Sequence, residues 1–579
     1  MASSQTLVLG RFGTTVQNSL EHLRSQRYVE RLWNKDASLW SDDPDVQASI
    51  RNRLGWLTIP RVMAAQTASL RTFAQEIRAA GFTHVLLLGM GGSGLFSEVC
   101  RKTFGIASSG LELTVLDTTD PTAIRRYQQR CPLQQLLVII SSKSGSTSEV
   151  SALSNYFYET FKSADGTPGA HCIAITDHGT SLEAQAATLK YRRAFVHGPT
   201  NGADVGGRFS ALTYFGLVPA SLLGVDVDAL LSRAIEMLER CGSNTPLADH
   251  PAAQLGAVLG ALAAEGRDKM TLRCPPSLES VGTWVEQLVA ESTGKLGKGI
   301  VPIFGEPLRD VAWYSNDRVF VELQLTSEWD AGLDRHVQAL AAAGHPVVRI
   351  DWQDRYDLGG EVVKWEMATG IAGSLMGLNP FDEPNVQESK DRTKTLLSQY
   401  TKDHRLPDEV PIVSEGSVAL YSGASTSPSA RSIGQIVSDF FRQRRAMDYI
   451  AILSFLPRTA TLDQAMEALR NRLSEQLGCA TMLGFGPRYL HSTGQLYKGG
   501  ADNGLFLLFT ADDPVDVPIP GEPFSFRVLK QAQALGDFQA MCQHHRRVLR
   551  VHVRAPLDAA LAQWDAVLDE ALSALAPRP

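Results

Sequence analysis

The chain has 579 residues, of which 44% are hydrophobic and 20% charged, and its formal net charge is -7. That length exceeds a single hydrophobic core, and that composition leaves no need for a large disordered part. The acidic balance argues against a general nucleic-acid binder, although a local pocket of opposite sign can still take an anionic small molecule.

No apolar run of about 18 residues occurs, so no membrane span is expected, and the amino-terminal stretch lacks the apolar core of a secretory signal. A cytoplasmic protein is the expectation. The scattered cysteines Cys100, Cys131, Cys172, Cys241, Cys274, Cys479 and Cys542 never stand as C-x-x-C. That spacing speaks against a disulfide framework or a structural zinc site.

In chain order, apolar residues recur at helical spacing from Thr14 to Ala80, which predicts an N-terminal helical extension over residues 1–80. From Gly81 short apolar runs alternate with amphipathic stretches. The strand candidates are His84–Leu88, Leu111–Leu116, Gln135–Ile140, His171–Thr176 and Ala194–His197. Near-continuous apolar strands, each followed by a turn and a helical segment, predict βαβ units and a parallel sheet covered on both faces over residues 81–225. A second α/β region is expected over residues 226–400, with strands at Lys269–Cys274, Val319–Leu325 and Pro346–Asp351. The polar segment Tyr421–Ser432 reads as a linker or surface loop. It lies in a third α/β region, residues 401–579, with strands at Tyr449–Phe455, Gly504–Thr510 and Val548–His552.

Two turns carry chemistry. The first strand runs into Gly89-Met90-Gly91-Gly92-Ser93-Gly94. A glycine-rich turn at the carboxyl end of a parallel strand lets backbone N–H groups approach an anion, and the next helix adds its positive end. A dinucleotide site or a purely structural turn would look alike. The third strand ends in Ser141-Ser142-Lys143-Ser144-Gly145-Ser146-Thr147-Ser148-Glu149. Hydroxyls and free N–H groups at a helix start make a cradle for a phosphate, and Lys143 can add a charge. The bland alternative is an N-cap cluster in a surface loop. No Gly-x-x-x-x-Gly-Lys-Ser/Thr pattern is present, so a phosphorylated metabolite fits better than a nucleoside triphosphate.

Together the two turns resemble the sugar isomerase (SIS) domain, which binds phosphosugars. Gly206-Gly207-Arg208-Phe209-Ser210 looks like the Gly-Gly-Arg-Phe/Tyr-Ser signature of phosphoglucose isomerases. Gln287, four residues before Glu291-Ser292-Thr293-Gly294-Lys295, resembles that family's Glu-Ser-x-Gly-Lys segment with its upstream glutamine. The segment from Asn379 to Lys390, NPFDEPNVQESK, is similar to the family's Asn-Pro-Phe-Asp-Gln-Pro-Gly-Val-Glu segment near its catalytic lysine. The opening RLWNKDASLW and the closing half look like the isomerase half of transaldolase–phosphoglucose isomerase fusions. One departure concerns order. The family's His-x-x-Gly-Gln-like segment precedes Asn-Pro-Phe-Asp, whereas the matching His491-Ser492-Thr493-Gly494-Gln495 follows Lys390. An additional α/β unit or a rearranged second unit would produce this order. His336 and His345 lie nearer the family position but lack the flanking motif.

The resemblance implies tandem doubly wound, parallel-sheet SIS-type domains with an N-terminal helical extension and an extra C-terminal α/β region. It implies reversible isomerisation of glucose 6-phosphate and fructose 6-phosphate through an enediolate, with a phosphorylated hexose as partner. Glu291 is the expected proton-transfer base. Arg208 supplies fixed positive charge to the enediolate oxygens. Gly92, Ser93, Ser142, Lys143, Ser144, Thr147 and Gly207 are expected to hold the phosphate, and Gln287 to orient the sugar. His491 is assigned ring opening, with Lys390 as companion and Lys498 as a spare. This chemistry calls for no metal or redox cofactor, and the pair His544-His545 has no second ligand pair at a recognisable spacing. The resemblance also makes a homodimer the expectation, while the acidic balance and the lack of a long apolar run imply no nucleic-acid or membrane partner. The alternatives are an isomerase acting on both glucose and mannose phosphates, and a non-catalytic phosphosugar sensor. The glucosamine-6-phosphate synthase class would need a cysteine at position 2, where Ala2 stands.

Overall fold

The computed structural model of the protein describes residues 3–130, 132–164, 166–423 and 431–575. Ala2, Cys131 and residues 424–430 of the expected polar linker lie outside the described residues. The chain forms two compact units. One comprises Met1–Asp117, Cys131–Ala312 and Asn316–Glu383, and the other Thr118–Arg130, Trp313–Ser315 and Pro384–Pro579.

In the first unit the amino-terminal extension is mainly helical, as its periodicity predicts. The helix Thr67–Ala79 buries Thr67, Leu70, Phe73, Ala74 and Ile77, one stripe at three- and four-residue spacing. The extension also begins with a strand the periodicity does not reveal, β1 (Ser4–Val8).

The first sheet contains β2 (His84–Leu88), β3 (Glu112–Leu116), β4 (Leu136–Ser141), β5 (Cys172–Asp177) and β6 (Arg193–His197). Their spatial order is β3-β2-β4-β5-β6, and every pairing is parallel. The central β4 is buried along its whole length, which is why its sequence LLVIIS carries no polar alternation. The second sheet contains β7 (Lys269–Arg273), β8 (Val301–Phe304), β9 (Arg318–Leu325) and β10 (Val347–Trp352), in the order β1-β10-β9-β7-β8. β1 closes its edge by pairing antiparallel with β10, Ser4 opposite Asp351. In the same unit the helices Pro251–Ala264 and Asp357–Leu375 touch backbone to backbone. A Cβ on Gly256 would stand 2.7 Å from the carbonyl oxygen of Ala368.

The second unit carries its own sheet and its own apolar core. Its strands are β11 (Val413–Glu415), β12 (Val418–Ser422), β13 (Tyr449–Ser454), β14 (Thr481–Phe485), β15 (Gly504–Ala511) and β16 (Arg547–Val553). Their order is β11-β12-β16-β15-β13-β14. All three sheets share one winding: the second parallel strand lies outside the first, and the third and fourth follow on the other side. The C-terminal α/β region thus repeats the strand order of the second sheet, down to an antiparallel strand beside the fourth. Among the described residues, no helix is long and apolar enough to cross a membrane, and no group of histidine, cysteine or acidic side chains could hold a metal ion.

Candidate active site

In a sheet wound this way, ligands sit outside the carboxyl ends of the strands where the winding reverses. In the first sheet that point lies between β2 and β4. The glycine-rich turn leaves β2 there and the serine-rich turn leaves β4. They are tied together by Ser141, whose Oγ donates to the Ser93 carbonyl oxygen at 2.7 Å.

Gly92 has no room for a side chain, since a Cβ there would stand 2.0 Å from the carbonyl oxygen of Gly207. The first turn therefore rests directly on the Gly206-Gly207-Arg208 turn. Ser210 Oγ closes the second turn by donating to the Gly207 carbonyl oxygen at 2.6 Å.

In the serine-rich turn, Ser142 is buried and its Oγ lies 2.9 Å from Thr147 Oγ1. Ser144 is exposed, and its hydroxyl accepts from the Ser146 N–H at 3.3 Å. The helix Ser148–Ala164 begins just behind, so its N-terminal end lies at the same turn. Lys143 is turned the other way. Its ammonium pairs with the Asp177 carboxylate and donates to the Ala203 carbonyl oxygen at 3.1 Å. Burial lowers its pKa below the usual lysine value, against the pull of Asp177. The hydroxyls and the helix end, rather than this ammonium, are what the turn presents.

Arg208, 3% exposed, is the hub of the next layer. Its Nε donates to Ser292 Oγ at 2.8 Å. Its Nη2 donates to the carbonyl oxygens of Pro380 and Asp382 at 2.6 and 3.0 Å. Its Nη1 lies 2.9 Å from Glu383 Oε2 and 3.5 Å from Glu291 Oε1. Glu291, on the helix Val281–Thr293, also accepts from Gln287 Nε2 at 3.0 Å, the contact expected one helical turn apart. The Gly-Gly-Arg, Glu-Ser-x-Gly-Lys and Asn-Pro-Phe-Asp segments thus meet on one guanidinium.

Two neighbours were not singled out by sequence. Glu383 stands where the family segment carries glutamine. Burial would raise its pKa, but the Arg208 guanidinium overrides this and holds it below its ordinary value. Lys295 donates to Asn379 O, Asp382 O and Asp382 Oδ1 at 2.8, 2.6 and 2.7 Å. Its burial, with Arg208 nearby, brings its pKa down to about 8.

The second unit holds Lys390 and His491. Lys390 is exposed on the helix Pro384–Asp403, and His491 ends a short helical turn, Arg488–His491. Although 110 residues apart, Asn385 and Gln495 exchange two hydrogen bonds of 2.8 Å, which fasten the HSTGQ segment to the start of the Lys390 helix. The unusual order of these motifs along the chain is therefore compatible with their proximity in space.

Lys498 is only 1% exposed, and its ammonium is committed to Asp537 at 2.7 Å. His544 is bonded to Glu388 Oε2 at 2.6 Å. His345 packs on Phe320 with ring centroids 5.3 Å apart, and burial brings its pKa down to about 4. On His336, too, burial lowers the pKa.

Known proteins converge on the same reading. The family described as phosphoglucose isomerase matches residues 52–299. A protein of Rubrobacter xylanophilus named "Glucose-6-phosphate isomerase" is 28% identical over 387 residues, 58% of this chain and 87% of the relative. A "Probable glucose-6-phosphate isomerase" of Natronomonas pharaonis is 31% identical over 352 residues, 54% of this chain and 78% of the relative. Among solved structures, a glucose-6-phosphate isomerase from Chlamydia trachomatis shares the fold. Its TM-score is 0.56 at 15% identity, covering 69% of this chain and 89% of that one. By sequence match, by fold and by the motifs gathered on Arg208, the chain belongs to the phosphoglucose isomerase family.

Proposed function

We propose that the protein interconverts glucose 6-phosphate and fructose 6-phosphate. The observation that carries this reading is the pairing of a nearly buried carboxylate, Glu291, with the fixed guanidinium of Arg208, next to a turn of hydroxyls and helix N–H groups. Aldose–ketose isomerisation needs those three parts.

Glu291 removes the proton from C2 of the open-chain aldose and, once the hydroxyl proton of O2 has passed to O1, returns it to C1. In the enediolate between these steps negative charge develops on the oxygens of C1 and C2, where a preorganised cation acts most strongly. Arg208 supplies that cation. Its other donors are occupied by Ser292, Pro380 and Asp382, so it need not reorganise as charge develops. Ser142, Ser144 and Thr147 hold the phosphate with the helix end behind them. Gln287 keeps the Glu291 carboxylate oriented. Ring opening moves a proton from a hydroxyl to the ring oxygen, and we assign it to His491 with Lys390.

The test is conversion of fructose 6-phosphate by chelator-treated protein, beside Glu291→Gln. Wild type should turn over, and the variant should keep its fold and lose about 10²–10⁴-fold in kcat. Wild type that binds fructose 6-phosphate without converting it would make the protein a phosphosugar sensor instead.

A further inference from the structure

In the core of the second unit, Asp537 is wholly buried on the helix Phe526–Gln543. Its carboxylate collects three donors from three different segments. Oδ1 accepts from Lys498 Nζ at 2.7 Å and from Ser389 Oγ at 3.1 Å. Oδ2 accepts from Tyr489 Oη at 2.7 Å. Ser389, Tyr489 and Lys498 are themselves 4%, 2% and 1% exposed. A buried charge is costly unless paired and hydrogen-bonded, and this one is both. The arrangement therefore tolerates little displacement of any spoke.

The identity of the spokes gives the cluster a function. Ser389 directly precedes Lys390. Tyr489 lies two residues before His491 on the same short turn. Lys498 sits at the end of the helix Gly494–Gly499, which carries Gln495. One carboxylate therefore fixes the segment of His491 against the segment of Lys390, and the Asn385–Gln495 exchange repeats the fastening at the other end. Tyr489 also packs on Phe455 and Tyr497, with centroids 5.7 and 6.1 Å apart, so its hydroxyl has little freedom to seek another partner.

We infer that Asp537 is a positioning residue for the proton transfers assigned to His491 and Lys390, an inference that rests on the isomerase reading. It touches neither substrate nor reacting atoms. It sets the spacing of the two groups that do, and such spacing matters because a misplacement of about 1 Å can cost about a hundredfold in rate.

The experiment compares wild type with three variants: Tyr489→Phe, Asp537→Asn, and Asp537→Asn combined with Lys498→Met. The double variant removes both buried charges, so no unpaired ammonium is left in the core. For each, kcat, KM and the pH profile of kcat are measured on fructose 6-phosphate, with circular dichroism to score the folded fraction. We expect the double variant to remain folded, to lose about a hundredfold in kcat with KM within about threefold, and to show a displaced pH profile. Tyr489→Phe, which keeps the ion pair, should lose about tenfold and shift the profile the same way. Should the folded variants match wild type in kcat and pH profile, or lose activity only in proportion to unfolded protein, the inference is overturned. A wild type without turnover would remove the isomerase reading and this inference with it.

Discussion

Arg208 stands between two carboxylates, 3.5 Å from Glu291 and 2.9 Å from Glu383. The guanidinium is thus shared, and both acids lie close enough to feel its charge. Its flat fork also meets Ser292 and two backbone carbonyl oxygens, which an ammonium on a flexible stem cannot do at once. Arg208→Lys should lower kcat on fructose 6-phosphate by about 10²–10³-fold. Steady-state kinetics beside a thermal melt would check this, since the variant should also melt earlier. Near-wild-type kcat would remove Arg208 from the chemistry.

Gly92→Ala tests the contact between the glycine-rich turn and the Gly206-Gly207-Arg208 turn. The added methyl would lie 2.0 Å from the Gly207 oxygen, and that oxygen is backbone that cannot swing aside. The expected result is loss of stability by about 1–3 kcal/mol, seen in denaturant titration, and a fall in phosphosugar affinity. Gly207→Ala is the natural control for the stability loss, because nothing lies within 4 Å of a Cβ built there.

The phosphate cradle makes a different prediction. Ser142 and Thr147 spend a hydrogen bond on each other, and both hydroxyl protons can turn to donate to phosphate oxygens when a ligand is present. Thr147→Val and Ser142→Ala should each raise KM about tenfold, the weight of one hydrogen bond to a charged group, with a smaller change in kcat. Lys143→Met, which breaks the pair with Asp177, should act mainly on thermal stability. If it raised KM more than the hydroxyl variants did, the ammonium would have to reach the phosphate after all.

Lys295 gives a pH signature. Burial brings its folded pKa down to about 8, while the unfolded chain keeps the usual lysine value of about 10.4. Between those values the unfolded state binds more protons, so this group makes stability rise with pH. Below about pH 8 its charged form is held at a cost. Comparing the unfolding free energies of wild type and Lys295→Met across pH 7 to 10 should show wild type gaining on the variant above about pH 8. A constant difference would mean that Asp382 keeps Lys295 charged throughout.

Much of the fold was legible in the sequence because parallel strands covered on both faces must be apolar throughout. β2, β4, β13 and β15 all announce themselves this way. β1 does not, since it is a five-residue edge strand with one face open. Nor does β8, four residues that include Pro302, or β14, whose run contains Gly484. The candidate site divides along the same line. The two turns are legible because close backbone approach requires glycine and small hydroxyl residues next to one another in the chain. The grip of Arg208 on Glu383 spans 175 residues, and that of Asp537 on Ser389 spans 148. Neither leaves a local pattern. Only the glutamate in place of the family's glutamine marks the first in advance, and nothing marks the second.

The pairing of β1 with β10 has a consequence for how the protein is made. Among the described residues β1 has its sheet partner at Val347–Trp352, far later in the chain. All of the intervening segment must be synthesised before that edge can close. Throughout that interval the Ser4–Val8 strand is an unsatisfied row of N–H and C=O groups, open to pairing with other nascent chains. Co-translational folding of the first unit is therefore gated by the arrival of β10, and early truncations should be held by chaperones or aggregate rather than accumulate as a folded fragment.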